Sequence, residues 1–594
     1  MKTFSKSLLT VLLLGFLLRL TACGFGLPNL YHADEPVVVN HAMAYGAGDL
    51  NPHFFKIPPL ISYLLFGVYG LFYVLGHLAG AFKNLQAFEF LFYSDPSLFY
   101  LAARFIFGVL AGTLTIFMFY RLVARHFSPR AAILGAAFLA VNFLHVRDSH
   151  YIYADIPLLL VMISAFFVFF RTLERSAFKL DLGCGAMLGL AAAVKYNGAA
   201  LLIPYGFILW KAGGVKKMVT SGLPAALAAL GVFALLNPFA FLDFHFFQSE
   251  LRQQALSNTG VPWLHHLRYS LTEAAGIPLL LFAFGGMVKI FSPFNVKKAS
   301  FALFALAYYG VLVLAGQPYD RYVLPLIPFL IFFAADFIVG IQVPMRHPEA
   351  FYAEGSAFGI LRYAQDDAAE RLHFISGIQD KRGPLFRILA LACFLAAFVP
   401  NLAKSILFDR LMLLPDTRTL AREWVLKNIP SETPLALDWD FYMPRLPFSK
   451  KELEDKLWDI QNTPGNFSKG QKRKLNFLLA PGPPSGYDLY FLNQDQNKQR
   501  FLFASPLIEY DLPRLRAKGI QYVVIVRLKH EPGPAVFYEQ LARESQKVAE
   551  FTPYRNKLQK FPFDEQPLTA GPFLWKELIG RERNGQPLEI YKIA

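Results

Sequence analysis

Apolar residues come in long blocks separated by short polar loops. The first runs from Leu8 to about Leu27, and further blocks occupy about 98–120, 131–146, 156–170, 182–194, 197–210, 219–236, 277–291, 301–315, 321–341 and 385–402. Crossing a bilayer takes about 20 apolar residues in a helix, so the pattern predicts about eleven membrane helices, several of them short. Between the blocks lie basic loops: Arg121, Arg125 and Arg130; Arg171, Arg175 and Lys179; Lys211, Lys216 and Lys217; Lys297 and Lys298; and the stretch from Arg346 to Arg382. All five fall on one side of the membrane if the N-terminus is cytoplasmic, as the positive-inside rule requires. The tetrad Leu20-Thr21-Ala22-Cys23 spells a lipoprotein cleavage box, but Arg19 interrupts the apolar run just before it, so the segment reads as a retained first helix.

The segment Ile57 to Phe82 is also long enough to span. A span there would move every later basic loop to the other side. It therefore reads as juxtamembrane helices at the outer interface, broken from the first helix by Pro58-Pro59, within an outer loop of about 28–97. The expected fold is an all-α polytopic membrane domain over 1–402, with about eleven transmembrane helices plus juxtamembrane helices and a cytoplasmic insert at about 342–384. An odd helix count leaves 403–594 outside. That tail gains Lys, Asp, Gln and Pro and holds strand-like runs at Tyr522–Val526 and Leu588–Ile593, which predicts a small extracytoplasmic α/β domain.

Composition sharpens this picture. At 55% hydrophobic and 17% charged over 594 residues, the chain is no ordinary soluble globule. Sixty Phe and 27 Tyr suit lipid-facing helices and their headgroup ends. The net charge of +15 is accounted for by the basic loops, and no nucleic-acid motif competes for it. Cys23, Cys184 and Cys393 all lie in apolar runs, which suggests neither disulfides nor a zinc site.

Charge outside yet close to hydrocarbon is costly and tends to mark function. The first outer loop opens with Tyr31-His32-Ala33-Asp34-Glu35-Pro36 and continues to Lys56-Ile57-Pro58-Pro59. Asp34-Glu35 could simply stabilise the start of a helix behind Pro36. The second outer loop carries Arg147, Asp148, Ser149, His150 and Asp155; a third holds Lys195; a fourth reads Tyr319-Asp320-Arg321-Tyr322. Lys195 could snorkel, and Arg104 and Arg321 could be interfacial anchors. Taken together they gather cations and carboxylates at the outer ends of neighbouring helices. A phosphate-bearing lipid needs such cations, Lys56, Arg147, Lys195 and Arg321 above all, and a hydroxyl acceptor needs a carboxylate base.

These pieces, with Ser149-His150, Asp155 and Pro157-Leu158, the run Gly189 to Tyr196, Arg321-Tyr322 before Leu324-Pro325-Leu326, and Asp416-Thr417-Arg418 in the tail, resemble the type C glycosyltransferase superfamily, specifically its protein mannosyltransferase and aminoarabinose transferase group. The resemblance implies many helices, an outer-facing cavity and a polyprenyl-phosphate sugar donor. It also implies that Asp34 is the catalytic base, with Glu35 beside it, while Asp155, Arg104, His150 and Tyr322 support the site. Two positions depart from the pattern: Ile57 intervenes between Lys56 and the double proline, and His150 stands where many relatives carry arginine.

The expected activity is an inverting sugar transfer to a hydroxyl of lipid A, a cell-envelope glycan or a protein, at the outer side of the cytoplasmic membrane. Asp34, Glu35 and Asp155 could hold a divalent cation, although no His and Cys spacing supports one. A secondary transporter is the alternative from another class, but it would place its charges near the midplane and show paired repeats, which are not evident. A non-catalytic membrane scaffold is a third reading, and like the transporter it leaves the ordered motifs unexplained.

Overall fold

The computed structural model describes residues 2–256, 262–290, 294–315, 318–342, 384–439, 442–461, 467–480, 486–493, 508–528, 533–556, 568 and 573–593. The insert expected at about 342–384 lies outside the described residues except at its ends. Among the described residues seven helices are long and apolar enough to cross a membrane, or eight if His266–Ala275 and Ile277–Val288, bent by 104° at a break, form one span. The chain is a multi-pass membrane protein, mostly helical, with a small sheet near its C-terminus.

The expected count of about eleven differs for local reasons. Pro129–Val141 and Phe178–Val194 have 13 and 17 residues, short for spanning helices. The blocks at 197–210 and 219–236 run together as Leu202–Leu236, yet the backbone breaks at Gly213-Gly214, where Gly214 takes φ +62°, a conformation that costs glycine little. Leu209 returns beside Gly222 across this turn, so the stretch is a hairpin of two helices. Its second arm packs closely on Phe178–Val194. A Cβ on Gly185 or Gly189 would fall 2.1 or 2.3 Å from the carbonyl oxygens of Ala225 and Ala229, the close approach that small residues permit between membrane helices.

Described basic loops meet at one end of the bundle. Lys297 Nζ lies 3.0 Å from His126 Nδ1 and 3.4 Å from Glu174 Oε1. Lys298 pairs with Asp336 at 2.6 Å, Lys217 bonds Ser176, and Arg125 and Arg171 both approach the ring of Phe167.

The opposite end carries the C-terminal domain. Leu60–Leu78, which starts directly after Pro59, passes the length and hydropathy test for a span. Its contacts keep it at this end. Near its start Ser62 bonds Tyr45 at 2.9 Å; further along, the Tyr69 hydroxyl donates to the Phe99 carbonyl, and Phe72 packs on Phe88 and Phe99. The next helix, Leu85–Ser94, touches the C-terminal domain through Glu89–Arg473 at 2.6 Å and Phe90–Phe477 at 4.7 Å. Leu60–Leu78 thus packs through Tyr69 and Phe72 on Phe88 and Phe99, beside the helix that touches the C-terminal domain.

The helix Pro384–Met412 continues past residue 402, and the folded tail begins with Thr417–Asn428, capped by Asp416. Strands β1 (Pro434–Trp439), β2 (Asp488–Asn493), β3 (Tyr522–Val526), β4 (Ser545–Phe551) and β5 (Leu588–Ile593) form one sheet in the order β2-β1-β3-β5-β4. β1 runs parallel to β2 and β3, while β5 is antiparallel to β3 and β4. The strand-like runs at Tyr522–Val526 and Leu588–Ile593 coincide with β3 and β5. The domain also grips the first loop, where Arg418 sits 4.0 Å from the ring centroid of Tyr31 and Thr419 bonds the Tyr31 hydroxyl.

Candidate active site

The acidic dipeptide after the first helix splits into two roles. Pro36 follows Glu35 at the start of Glu35–Ala44, and the preceding Asp34 occupies the cap position without making a side-chain cap bond. Glu35 turns inward and is fully buried. Arg104 Nε and Nη2 hold its two oxygens at 2.8 and 2.7 Å, and the backbone N–H of Ile152 donates to Oε1 at 3.0 Å. Arg104 Nη1 also donates to the carbonyls of Cys23 and Phe25 at 2.8 Å. This fork-on-fork pair ties the end of the first helix, the first loop and the second loop together. Asp34 instead keeps partial exposure, with Oδ2 3.3 Å from Arg321 Nη2.

Arg321 is set by the turn Tyr319-Asp320-Arg321-Tyr322 that opens the helix Ile327–Gln342. Its guanidinium centre lies 4.8 Å from the ring centroids of both Tyr153 and Tyr319. Lys195, in extended backbone between Phe178–Val194 and the turn Tyr196–Leu201, reaches Asp155 Oδ1 at 2.7 Å. The same ammonium lies 5.1 Å from the Tyr153 ring and 4.8 Å from the Tyr322 ring. Tyr153 therefore stands between two cations as a shared π surface. Burial pushes the Lys195 ammonium down, and Asp155 opposes the shift. Arg321 Nε and Asp155 Oδ2 are buried without a hydrogen-bond partner among the described residues.

Behind Tyr153 opens a small, mostly apolar cleft whose walls include Val37, His41, Phe54, Ile57, Pro58 and Tyr153. Lys56 directly precedes Ile57 in the chain. It is half-buried and has no ion pair or hydrogen bond among the described residues. The Tyr196 hydroxyl donates to the Phe55 carbonyl at 2.9 Å, which joins the loop carrying Lys56 to the Lys195 turn.

Arg147 stands apart from this group. Its guanidinium is bidentate to Asp320, at 2.5 and 2.9 Å, and also bonds Asp148. It acts on the site through the residue next to Arg321. His150 is further away: its ring nitrogens lie 2.9 and 2.6 Å from the Val146 and Thr21 carbonyls, only one of which a neutral ring can donate to, Nε2 lies 3.4 Å from Asp409 Oδ1, and the ring packs on Phe408, between the first helix and Pro384–Met412. Burial pushes its pKa down to about 4.

The fold thus brings Asp34, Asp155, Lys195, Arg321 and Tyr322 around Tyr153, while Lys56 is linked to them only through its neighbours Phe55 and Ile57. It sets Glu35 and Arg104 behind them as a buried pair, and Arg147 and His150 to the side. Tyr153 and Asp320 were not singled out by sequence, although both sit in the outer-loop motifs; their signal was a tyrosine two before Asp155 and an acid beside Arg321. Each of the three carboxylates considered for a cation faces a basic side chain. Among the described residues no group of three His, Cys, Asp or Glu is placed to hold a metal.

The profile of the dolichyl-phosphate-mannose-protein mannosyltransferase family matches residues 100–241. That stretch carries the loop from Arg147 to Asp155 and Lys195. No curated protein sequence matches the chain. Among solved structures, ArnT from Cupriavidus metallidurans bound to undecaprenyl phosphate is similar at 16% identity and a TM-score of 0.44, covering 92% of this chain and 95% of its own. The apo state of that protein gives 15% identity and a TM-score of 0.43 at the same coverage.

Proposed function

We propose that the protein is an inverting glycosyltransferase that moves a sugar from a polyprenyl-phosphate donor to a hydroxyl acceptor at the outer face of the cytoplasmic membrane. The observation that carries this reading is the grouping of Arg321 and Lys195 on the ring of Tyr153, with Asp34 in contact with Arg321 and an apolar cleft alongside. Two cations sharing one aromatic ring fit a phosphate, with Lys56 proposed as a third; the apolar wall fits isoprenyl carbon, and a partly exposed carboxylate fits a base. Sidedness follows from charge: the basic loops gather at the far end of the bundle, so the positive-inside rule assigns that end to the cytoplasm and the cleft, with the C-terminal domain, to the outside.

In the reaction Asp34 accepts the proton of the acceptor hydroxyl as the oxygen attacks the anomeric carbon. The bond from that carbon to the phosphate oxygen breaks, and its electron pair leaves on the lipid phosphate. Arg321, Lys195 and Lys56 hold the charge that develops there. Donor phosphate competes with Asp34 for Arg321, so donor binding frees the carboxylate for the acceptor. Asp34 then returns its proton to solvent. Glu35, saturated by Arg104 and Ile152, keeps Asp34 in place. A transporter fits less well, because the charges collect at one end of the bundle.

The test is to purify the full chain from membranes and identify its bound lipid by mass spectrometry. The expected species is a polyprenyl monophosphate carrying one sugar, which the protein transfers on addition of acceptor. Direct use of a nucleotide sugar would contradict the donor assignment.

A further inference from the structure

One contact links the C-terminal domain to the site by hydrogen bonds. Leu568 is buried among Ala22, Phe25, Phe143, Phe408 and Met412 of the membrane half and Leu574 and Leu578 of the tail. Its backbone is left-handed, with φ +63°, which is uncommon for a residue other than glycine. Both of its peptide groups are engaged: its N–H donates to Glu577 Oε2 at 2.8 Å, and its carbonyl accepts from Arg147 Nη1 at 3.3 Å. Arg147 in turn grips Asp320, the residue before Arg321. Arg147 has its other donors on Asp148 and Asp320, so the Leu568 carbonyl completes its fork.

We infer that Leu568 is a positioning residue of the C-terminal domain: through its carbonyl it fixes Arg147, and through Arg147–Asp320 it sets the turn that carries Arg321. The side chain wedged between the first helix and Pro384–Met412 anchors the position, and Glu577 holds the backbone so that the carbonyl faces the guanidinium. The fold thereby makes donor binding depend on a docked C-terminal domain. This rests on the reading of Arg321 as a phosphate ligand, so the experiment separates the two.

Leu568→Ile keeps the volume, but its β-branch disfavours a positive φ, whereas Leu568→Met keeps both volume and backbone freedom. In the full-length chain in lipid nanodiscs, hydrogen exchange of peptides covering Tyr319–Leu326 is compared with binding of undecaprenyl phosphate as probe. Leu568→Ile should raise exchange in that turn and weaken probe binding by about 5-fold or more, and Leu568→Met should restore both. In an Arg147→Lys background, which retains the charge and loses the fork, Leu568→Ile should add nothing. If Leu568→Ile fails to fold, Glu577→Asp, one methylene too short to hold the Leu568 N–H, serves in its place. Unchanged exchange at Tyr319–Leu326 in a folded variant, or effects that add fully to those of Arg147→Lys, would overturn the inference. The exchange readout needs no undecaprenyl phosphate, so it stands or falls separately from the donor assignment.

Discussion

Asp34 and Glu35 are neighbours in sequence with opposite environments, and substitution should separate them. Asp34→Asn keeps shape and loses basicity, so turnover should drop by at least about 10²-fold with donor affinity and folded yield retained. Single-turnover transfer with pre-bound donor measures this; near wild-type turnover there, with Asp155→Asn inactive, would move the base to the second loop. Glu35→Ala leaves Arg104 buried and unpaired, which costs about 3–5 kcal/mol. Its main effect should be lost thermal stability and yield. His150 adds a pH dependence. Burial holds its folded pKa at about 4, below the ordinary value of about 6.5, so the unfolded chain binds the extra proton first. The neutral ring's contribution to stability is complete above about 6.5 and is lost as pH falls toward 4. Replacing His150 by Gln should remove this rise of melting temperature with pH over that window, leaving the opposite trend of Asp409, which burial pushes up to about 8.

Helix packing decides where these residues point, and here glycine carries more of the design than the apolar pattern reveals. A Cβ on Gly108 would lie 2.0 Å from the Ser149 carbonyl oxygen, so the π-helical turn Phe105–Leu110 seats the second outer loop against the helix that bears Arg104. Gly108→Ala should push that loop away, weakening the Ile152 bond to Glu35 and lowering thermal stability by several degrees in a detergent melt. The apolar blocks made the membrane bundle legible, and the double proline marked the start of Leu60–Leu78. What periodicity could not supply was the partner of each charge. Arg104 reads as an interfacial anchor because nothing local says that Glu35 will reach it, and Arg147 reads as a phosphate ligand until Asp320 is folded against it. Fewer helices are long enough to span than there are apolar blocks, because Pro129–Val141 and Phe178–Val194 are short; the two blocks parted by Lys211, Lys216 and Lys217 do fold as two helices about Gly213-Gly214.

For the molecule as a whole, charge sorting between the two ends of the bundle makes a topology that can be probed in intact cells. Single cysteines at 34, 155 and 195 and in the tail should react with an impermeant maleimide from outside, after partial unmasking where buried, and cysteines at 125 or 216 should not. Labelling of the latter two from outside would reverse the orientation. The most direct measurement concerns the cation pocket itself. Undecaprenyl phosphate is titrated into nanodisc-embedded full-length protein by native mass spectrometry, with wild type, Lys56→Gln, Arg321→Gln and the double variant compared. The pocket predicts one equivalent bound by wild type, and affinity reduced by about 10-fold or more in the double variant at unchanged thermal stability. Equal binding by wild type and the folded double variant would contradict it and leave these cations as interfacial anchors.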